Sequence, residues 1–176
     1  MKIKVTVTSN DLRVLDPTAE MLMESIAEKF NTGLEMENGE AGTSITSNAR
    51  PAGPYHQVVT VTGLNRGYRK TPCGGCPWRL DNDRSFPAEA FLHSANTAHD
   101  MATHEFACHE SGIKGCHTCA GFILNGSDHN LASRLKRMKG EYQDVGTTVA
   151  LHESYRAMAE ANGVDPAHPN LQACRQ

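Results

Sequence analysis

The most constraining feature of this chain is a cluster of cysteines, because five of its six cysteines lie between residues 73 and 119. They stand in four short strings: Cys73-Gly74-Gly75-Cys76-Pro77-Trp78-Arg79, Cys108-His109, Cys116-His117 and Cys119-Ala120-Gly121. A C-x-x-C knuckle lets two thiolates converge on one ion, and tetrahedral zinc sites are commonly built from two such half-sites. The spacing therefore predicts a metal site in which Cys73 and Cys76 form one half.

The second half of the site has more candidate ligands than it needs. One four-coordinate ion accepts only two ligands besides the first knuckle, whereas this stretch offers Cys108, His109, Cys116 and Cys119. On spacing alone, two C-x-x-C knuckles form the default set: Cys73, Cys76, Cys116 and Cys119.

Size and charge set limits on the class of protein. The 176 residues are 39% hydrophobic, which is enough to bury a core in one globular domain without help from a metal. The net charge of -3 argues against a protein that coats nucleic acid or membrane with its whole surface. Polar residues alternate through residues 1–8, and no apolar run approaches membrane-spanning length, so we expect a cytoplasmic protein. In that reducing compartment, clustered cysteines favour metal ligation over disulfides.

The first 64 residues are predicted to form an N-terminal strand-helix-strand elaboration. Residues 3–7 alternate as in a half-buried strand, and a helix follows from Pro17 to about Phe30. Residues 38–54 have no persistent period and are predicted to be a loop. A second strand over residues 57–62 could pair with the first.

The rest of the chain is predicted to hold several short helices. They begin near Pro87 and Cys119, and further ones cover residues 131–138 and 149–161. We predict an α+β fold, with a small metal-centred domain over residues 65–162 and a C-terminal tail over residues 163–176. Cys174, which stands among polar residues of that tail, is expected to be a surface thiol.

Structural zinc is the favoured interpretation of the cysteine cluster, and two alternatives stay open. Four thiolates can also hold an iron-sulfur cluster, and a proline follows Cys76 as in ferredoxin motifs. A metal-dependent enzyme would need an open coordination position and an acid-base group, for which His109, Glu105 and Glu110 are the nearby candidates. Neither glutamate stands in an H-E-x-x-H arrangement, so a non-enzymatic role is favoured.

A basic stretch beside the first knuckle raises the question of nucleic-acid or partner contacts. Its residues could contact phosphates or stack on a base: Arg66, Arg69, Lys70, Trp78 and Arg79. The alternative is structural, since Arg79 can offset thiolate charge and a single tryptophan beside a knuckle can anchor a small core. A second basic cluster over residues 134–139 ends a predicted helix, where cations complement the helix dipole.

The motifs together resemble a family of uncharacterised small proteins of bacteriophages and actinobacteria, over about residues 72–140. The resemblance is carried by the C-x-x-C-P-W-R string and by Phe86-Pro87, Phe106-Ala107-Cys108-His109, Cys119-Ala120-Gly121-Phe122 and Leu131-Ala132-Ser133-Arg134-Leu135. It implies a cysteine-rich, metal-binding domain of unknown function, with no reaction attached. It also implies the ligand set Cys73, Cys76, Cys108 and Cys119, with His109 and Cys116 as substitutes.

The sequence thus predicts a phage-type, cytoplasmic zinc protein with a structural four-cysteine site. We expect it to act as an interaction module for another protein. If a phage encodes it, we expect that protein to belong to the host and the interaction to occur in the host cytoplasm. A nucleic-acid-binding zinc-finger protein and an iron-sulfur or open-site enzyme remain the alternatives, and no membrane partner is expected.

Overall fold

The computed structural model describes residues 46–62, 67–112 and 116–175. The chain divides into two compact units, residues 1–65 and residues 66–176. The predicted strand over residues 3–7 and the predicted helix over residues 17–30 lie outside the described residues.

The described part of the N-terminal unit is a β-hairpin. Strand β1 (Thr46–Pro51) pairs antiparallel with strand β2 (Gln57–Thr62), and Thr46 lies opposite Thr62. The Ala52 amide donates to the His56 carbonyl at 2.8 Å and closes the connecting loop. The strand prediction for residues 57–62 is confirmed, but the loop prediction for residues 38–54 is wrong over β1. A polar segment without its own period becomes a strand here because β2 supplies its backbone hydrogen-bond partners.

The C-terminal unit is built from short helices, as the α+β prediction expected. The helices of its described part are α1 (Ala88–Ser94), α2 (Ala120–Asn125), α3 (Leu131–Met138), α4 (Tyr155–Ala161) and α5 (Pro169–Gln172). Two 3-10 turns cover Ala95–Ala98 and His109–Ser111. With the hairpin, these elements give a mixed α+β architecture. None of the helices described is long and apolar enough to cross a membrane.

Helix α4 begins six residues later than predicted. The Ser154 side chain accepts from the Ala157 amide at 3.1 Å and caps the helix. Leu151, predicted to lie inside the helix, instead forms an isolated bridge with Arg79. The apolar spacing of residues 151, 155 and 158 is compatible with a helix, but the capping serine sets the start of the helix after Leu151.

The core of this unit is centred on Trp78, which has no exposed surface. Its ring lies 6.0 to 6.3 Å from the rings of Phe106, Phe122 and Tyr155. Helix α2 approaches the indole closely, because a Cβ atom at Gly121 would lie only 2.5 Å from the Trp78 Cβ. Trp78 follows the first knuckle by two residues, so this packing fixes the knuckle against α2.

The C-terminal segment is more than a tail. Leu171 on α5 is fully buried, and Cys174 is only 4% exposed. The Cys174 thiol donates to the Ala95 carbonyl at 3.5 Å. The prediction that Cys174 is a surface thiol is wrong. Cys174 stands among polar residues in the sequence, but α5 brings this part of the chain back to the core.

Candidate metal centre

The first knuckle is a tight turn held by its own backbone. The Cys76 amide donates to the Cys73 carbonyl at 3.2 Å, and the Arg79 amide donates to the Cys76 carbonyl at 3.1 Å. The side-chain amide of Asn82 donates to the carbonyls of Gly75 and Cys76 at 3.0 and 3.1 Å. These hydrogen bonds hold the knuckle backbone in a tight turn, so Cys73 and Cys76 are positioned without the help of a ligand.

Cys108 and Cys119 are positioned by a small set of backbone bridges. Ala107 pairs antiparallel with Thr118, and Tyr68 pairs with Thr118 in parallel from the other side. The Cys108 amide donates to the His117 carbonyl at 2.8 Å, and the Cys119 amide donates to the Phe106 carbonyl at 2.9 Å. Two cysteines eleven residues apart in sequence are thereby brought onto adjacent extended segments.

Four thiols from these three segments meet in the core. The sulfur of Cys76 lies 3.6 Å from that of Cys119, and the sulfur of Cys108 lies 3.8 Å from that of Cys73. Cys73 and Cys76 are also close enough to alter each other's pKa. None of the four residues is more than 6% exposed. The structure thus brings together the set that the family resemblance implies.

Cys116, the ligand favoured by spacing alone, has a different position. It is buried, with 9% of its surface exposed. The core cluster includes Cys73, Cys76, Cys108 and Cys119 but not Cys116. The two sulfur pairs described above do not involve it. The two close sulfur pairs thus include Cys108, whereas symmetric C-x-x-C spacing favours Cys116.

A second, overlapping group contains Cys73, His109 and Glu110 and could hold a metal ion. Its three ligand atoms all lie within 4.8 Å of one another, and Nδ1 of His109 is 3.9 Å from the Cys73 sulfur. In this group every ligand atom lies close to both of the others. The close distances given above for the four thiols are those within two pairs, Cys73/Cys108 and Cys76/Cys119. The thiols are buried, but His109 and Glu110 are exposed. The two groups share Cys73.

Proximity and burial disfavour ionisation of the thiols. The contact with Cys108 lowers the pKa of Cys73, but Cys76 and burial together raise it to about 12. The contact with Cys119 is the main cause that raises the pKa of Cys76 to about 12. The pKa of Cys108 is raised by its contact with Cys73 and by burial. Such thiols keep their protons at neutral pH, so a cation that binds them has to displace protons.

The pKa of the His109 imidazole is lowered, whereas the pKa values of the three thiols above are raised. Partial burial of its ring, which meets the Phe86 ring edge-on at 5.0 Å, lowers its pKa. A lowered pKa keeps the imidazole neutral near pH 7. A neutral imidazole has a lone pair available for a metal ion.

Glu105, a candidate acid-base group from the sequence, belongs to a separate polar cluster. Its carboxylate accepts hydrogen bonds from four side chains: Thr118, Ser133, Lys136 and Tyr142. Burial would raise its pKa, but the donors outweigh burial and hold the pKa below its usual value. A carboxylate saturated by four donors serves to hold α3 against the bridge segment.

The predicted basic contact surface is largely occupied by ion pairs. Arg69 lies 3.7 Å from Glu110, Lys70 lies 2.7 Å from Asp144, and Arg79 makes two 2.7 Å contacts with Asp81. Arg66 lies outside the described residues. Trp78 has no exposed surface and cannot stack on a base, which removes it from this surface.

Two features of the structure were not predicted from the sequence. Asn82 holds the knuckle, and its signal in the sequence is its residue type, because Asn side chains often bond nearby backbone groups in turns. Leu135 and Met138 on α3 are 48% and 84% exposed. The apolar spacing of residues 131–138 predicted the helix but not this exposure, which depends on how α3 packs.

Residues 68–175 match a family of unknown function (DUF6283). The match includes the knuckle, the bridge segments and all five described helices. No curated protein and no solved structure matches the chain.

Proposed function

Because the chain belongs to the DUF6283 family, to which no function is attached, its role has to be argued from its own residues, and we propose a structural zinc protein. The proposed ligands are Cys73, Cys76, Cys108 and Cys119. The observation that carries the proposal is the meeting of four buried thiols, from three separate segments, at two sulfur-sulfur distances of 3.6 and 3.8 Å.

Two of the six sulfur-sulfur distances in this set, 3.6 and 3.8 Å, match what a single tetrahedral ion requires. Zinc-thiolate bonds of about 2.3 Å at tetrahedral angles separate the sulfurs by about 3.8 Å. Each of these two close pairs joins the first knuckle to a different segment, so closing both pairs around one ion would tie the three segments together. Closed burial supports a structural role, since a catalytic zinc keeps one position open to water or substrate.

Zinc is favoured over an iron-sulfur cluster by the contact between the two pairs. In a two-iron cluster, each iron holds one pair of cysteines and bridging sulfides separate the pairs. Here Cys73 and Cys76 belong to one tight turn, closed by the hydrogen bond from the Cys76 amide to the Cys73 carbonyl at 3.2 Å, and this turn joins the Cys73/Cys108 pair to the Cys76/Cys119 pair. One ion among four sulfurs accounts for that continuity.

Elemental analysis with an optical spectrum tests this proposal directly. Protein purified without oxygen is expected to be colourless and to contain one zinc per chain. Replacement of zinc by Co²⁺ is expected to produce thiolate-to-cobalt charge-transfer absorbance and the visible bands of a tetrahedral ion. Brown protein with iron and inorganic sulfide would instead establish the cluster, and a protein that binds neither metal would refute the proposal.

The partner that we propose is a protein with an acidic and apolar surface, bound by the outer face of α3. This face consists of Arg134, Leu135, Met138 and Lys139, all of which are exposed. Leu135 and Met138 supply apolar contact area, and 84% of Met138 is exposed. Among the described residues, neither Arg134 nor Lys139 has a side-chain ion pair, unlike Lys136 and Arg137 of the same helix.

The charge of this face is the reason to prefer an acidic partner. Unpaired cations beside exposed apolar side chains suit a partner that offers carboxylates and an apolar anchor. We propose in addition that the protein is cytoplasmic and phage-type and that its partner is a host protein. A nucleic acid is the weaker choice, because the described cations near the knuckle are paired with carboxylates.

A peptide-binding experiment separates these partners. The probe is a fluorescent amphipathic peptide of glutamate and leucine, and its control has lysine in place of glutamate. We expect the acidic peptide alone to bind, and Met138→Glu to weaken binding, whereas Met101→Glu, at another exposed methionine, should not. Salt-sensitive binding of a DNA or RNA oligonucleotide without peptide binding would establish the nucleic-acid alternative.

A further inference from the structure

We propose that Cys73, His109 and Glu110 form a loading site through which the metal ion reaches the four buried thiols. The inference rests on the proposed zinc site and adds a route to it. His109 and Glu110 bind the incoming ion first, and neither is a ligand in the final complex.

Cys73 belongs to both groups of ligands and connects them. Its sulfur lies 3.8 Å from the Cys108 sulfur on the buried side and 3.9 Å from Nδ1 of His109 on the exposed side. Glu110 completes a group in which all three ligand atoms lie within 4.8 Å of one another. An ion held by this group already touches one final ligand.

The two groups of ligands differ in exposure, and this difference is the reason that the ion needs a loading site. Cys76, Cys108 and Cys119 are at most 3% exposed, so a hydrated ion cannot meet several of these thiols at once. His109 and Glu110 are exposed and follow Cys108 directly in a 3-10 turn. An imidazole and a carboxylate can therefore replace part of the hydration shell before the ion enters the core.

The knuckle leaves room for these two side chains. A Cβ atom at Gly75 would lie 3.2 Å from Nε2 of His109, so the glycine allows the ring to lie close to the knuckle. The Gly75 amide lies 3.4 Å from a Glu110 oxygen and donates to it. Arg69, 3.7 Å from the other Glu110 oxygen, competes with the ion for the carboxylate and favours its onward transfer.

Transfer is a sequence of ligand exchanges without electron transfer. Cys73 keeps the ion while Cys108, its 3.8 Å neighbour, displaces His109. Cys76 and Cys119 then displace Glu110 and the remaining water. Each thiol releases one proton to solvent as its sulfur binds, so four protons leave for each ion that enters.

The test measures Co²⁺ loading by stopped-flow absorbance at the thiolate-to-cobalt band, and release to a chelator. His109→Ala and Glu110→Gln are expected to load about tenfold more slowly, the lower end of the cost of losing a group beside a metal's ligands. The final spectrum and the stoichiometry should equal those of the unmodified protein. Control variants are His129→Ala, which removes a histidine paired with Asp100, and Glu153→Gln at an exposed glutamate.

Release rates distinguish a group that acts only during loading from a ligand of the final complex. A group that acts only along the route changes loading and release by the same factor and leaves the affinity unchanged. If His109→Ala loads at the unmodified rate, the loading site is refuted. If it changes the final spectrum or lowers the affinity with loading unaffected, His109 is a resident ligand, which also refutes the inference. Failure of the zinc proposal is separate, because the unmodified protein would then give no thiolate-to-cobalt band.

Discussion

At the scale of single residues, the clearest contrast is between cysteines with the same burial and different surroundings. The sulfur of Cys76, which has no exposed surface, lies 3.6 Å from that of Cys119. Cys174 is equally enclosed, but its thiol donates to the Ala95 carbonyl and meets no other sulfur in the contacts of the described chain. Burial alone therefore does not identify a ligand, whereas convergence of sulfurs does.

This contrast supplies the first prediction. Cys76→Ser should abolish stoichiometric zinc binding and lower the thermal midpoint strongly, because a structural zinc site contributes on the order of 10 kcal/mol. Cys174→Ser is the matched control, since serine can also donate to the Ala95 carbonyl. Elemental analysis and thermal denaturation check both variants. Full zinc content in Cys76→Ser would contradict the four-cysteine set.

Glu105 leads to a prediction about pH. Its donors hold its folded pKa below the unfolded value, so its stabilising contribution is complete above the unfolded pKa of about 4.3 and is lost as pH falls through the folded pKa. Glu105→Gln should therefore be less stable than the unmodified protein at pH 7, and the difference should shrink on acidification. Urea unfolding at a series of pH values measures the difference. A difference in the free energy of unfolding that is independent of pH would argue against an ionised Glu105.

At the scale of elements, the packing of α2 on the indole of Trp78 determines where Cys119 lies. Cys119 is the N-cap residue of α2, so a shift of the helix moves its sulfur. Gly121 and Gly126 both face the ring, and a Cβ at Gly126 would lie 2.3 Å from Cη2 of Trp78. Small residues at these two points allow the close approach that the cysteine cluster needs.

Gly121→Ala tests this dependence. The added methyl would lie 2.5 Å from the Trp78 Cβ, and overpacking of this kind costs about 1–3 kcal/mol of unfolding free energy. Gly146→Ala is the control, because no atom lies within 4 Å of a Cβ there. Chemical denaturation measures both. Equal stability of the two variants would show that α2 can move away without cost.

Some of the helices and strands could be predicted from the sequence, and others could not. The helices near residues 88 and 120 follow from apolar spacing, since each buries apolar residues of that spacing. The helix near residue 131 was also predicted from apolar spacing, but the residue that it buries is Ser133, and Leu135 and Met138 are exposed. Strand β1 could not be read from Thr46–Pro51, because its extended form depends on hydrogen bonds to β2. The start of α4 was misplaced for a related reason, as Leu151 pairs with Arg79, 72 residues earlier in the sequence.

At the scale of the whole molecule, the proposed metal joins three segments that also carry the core. Trp78 is the chain's single tryptophan and packs beside the knuckle, so its fluorescence reports on the same region. A strong chelator should therefore shift the emission of Trp78 to longer wavelength and lower the thermal midpoint. Added zinc should reverse both changes. Unchanged emission and an unchanged midpoint after verified zinc removal would refute a structural role.

The sequence by itself determined that the chain has a cysteine-centred domain with short helices, because ligand spacing and apolar periodicity are local properties. It left the ligand set to resemblance, since spacing alone favoured Cys116 over Cys108. Only the tertiary structure decided which sulfurs meet, because Cys108 and Cys119 are brought together by bridges through Ala107 and Thr118. It also decided that Trp78 is buried in the core and that His109 and Glu110 lie exposed beside Cys73. Contacts between distant segments depend on how the whole chain packs, and no local pattern contains that information.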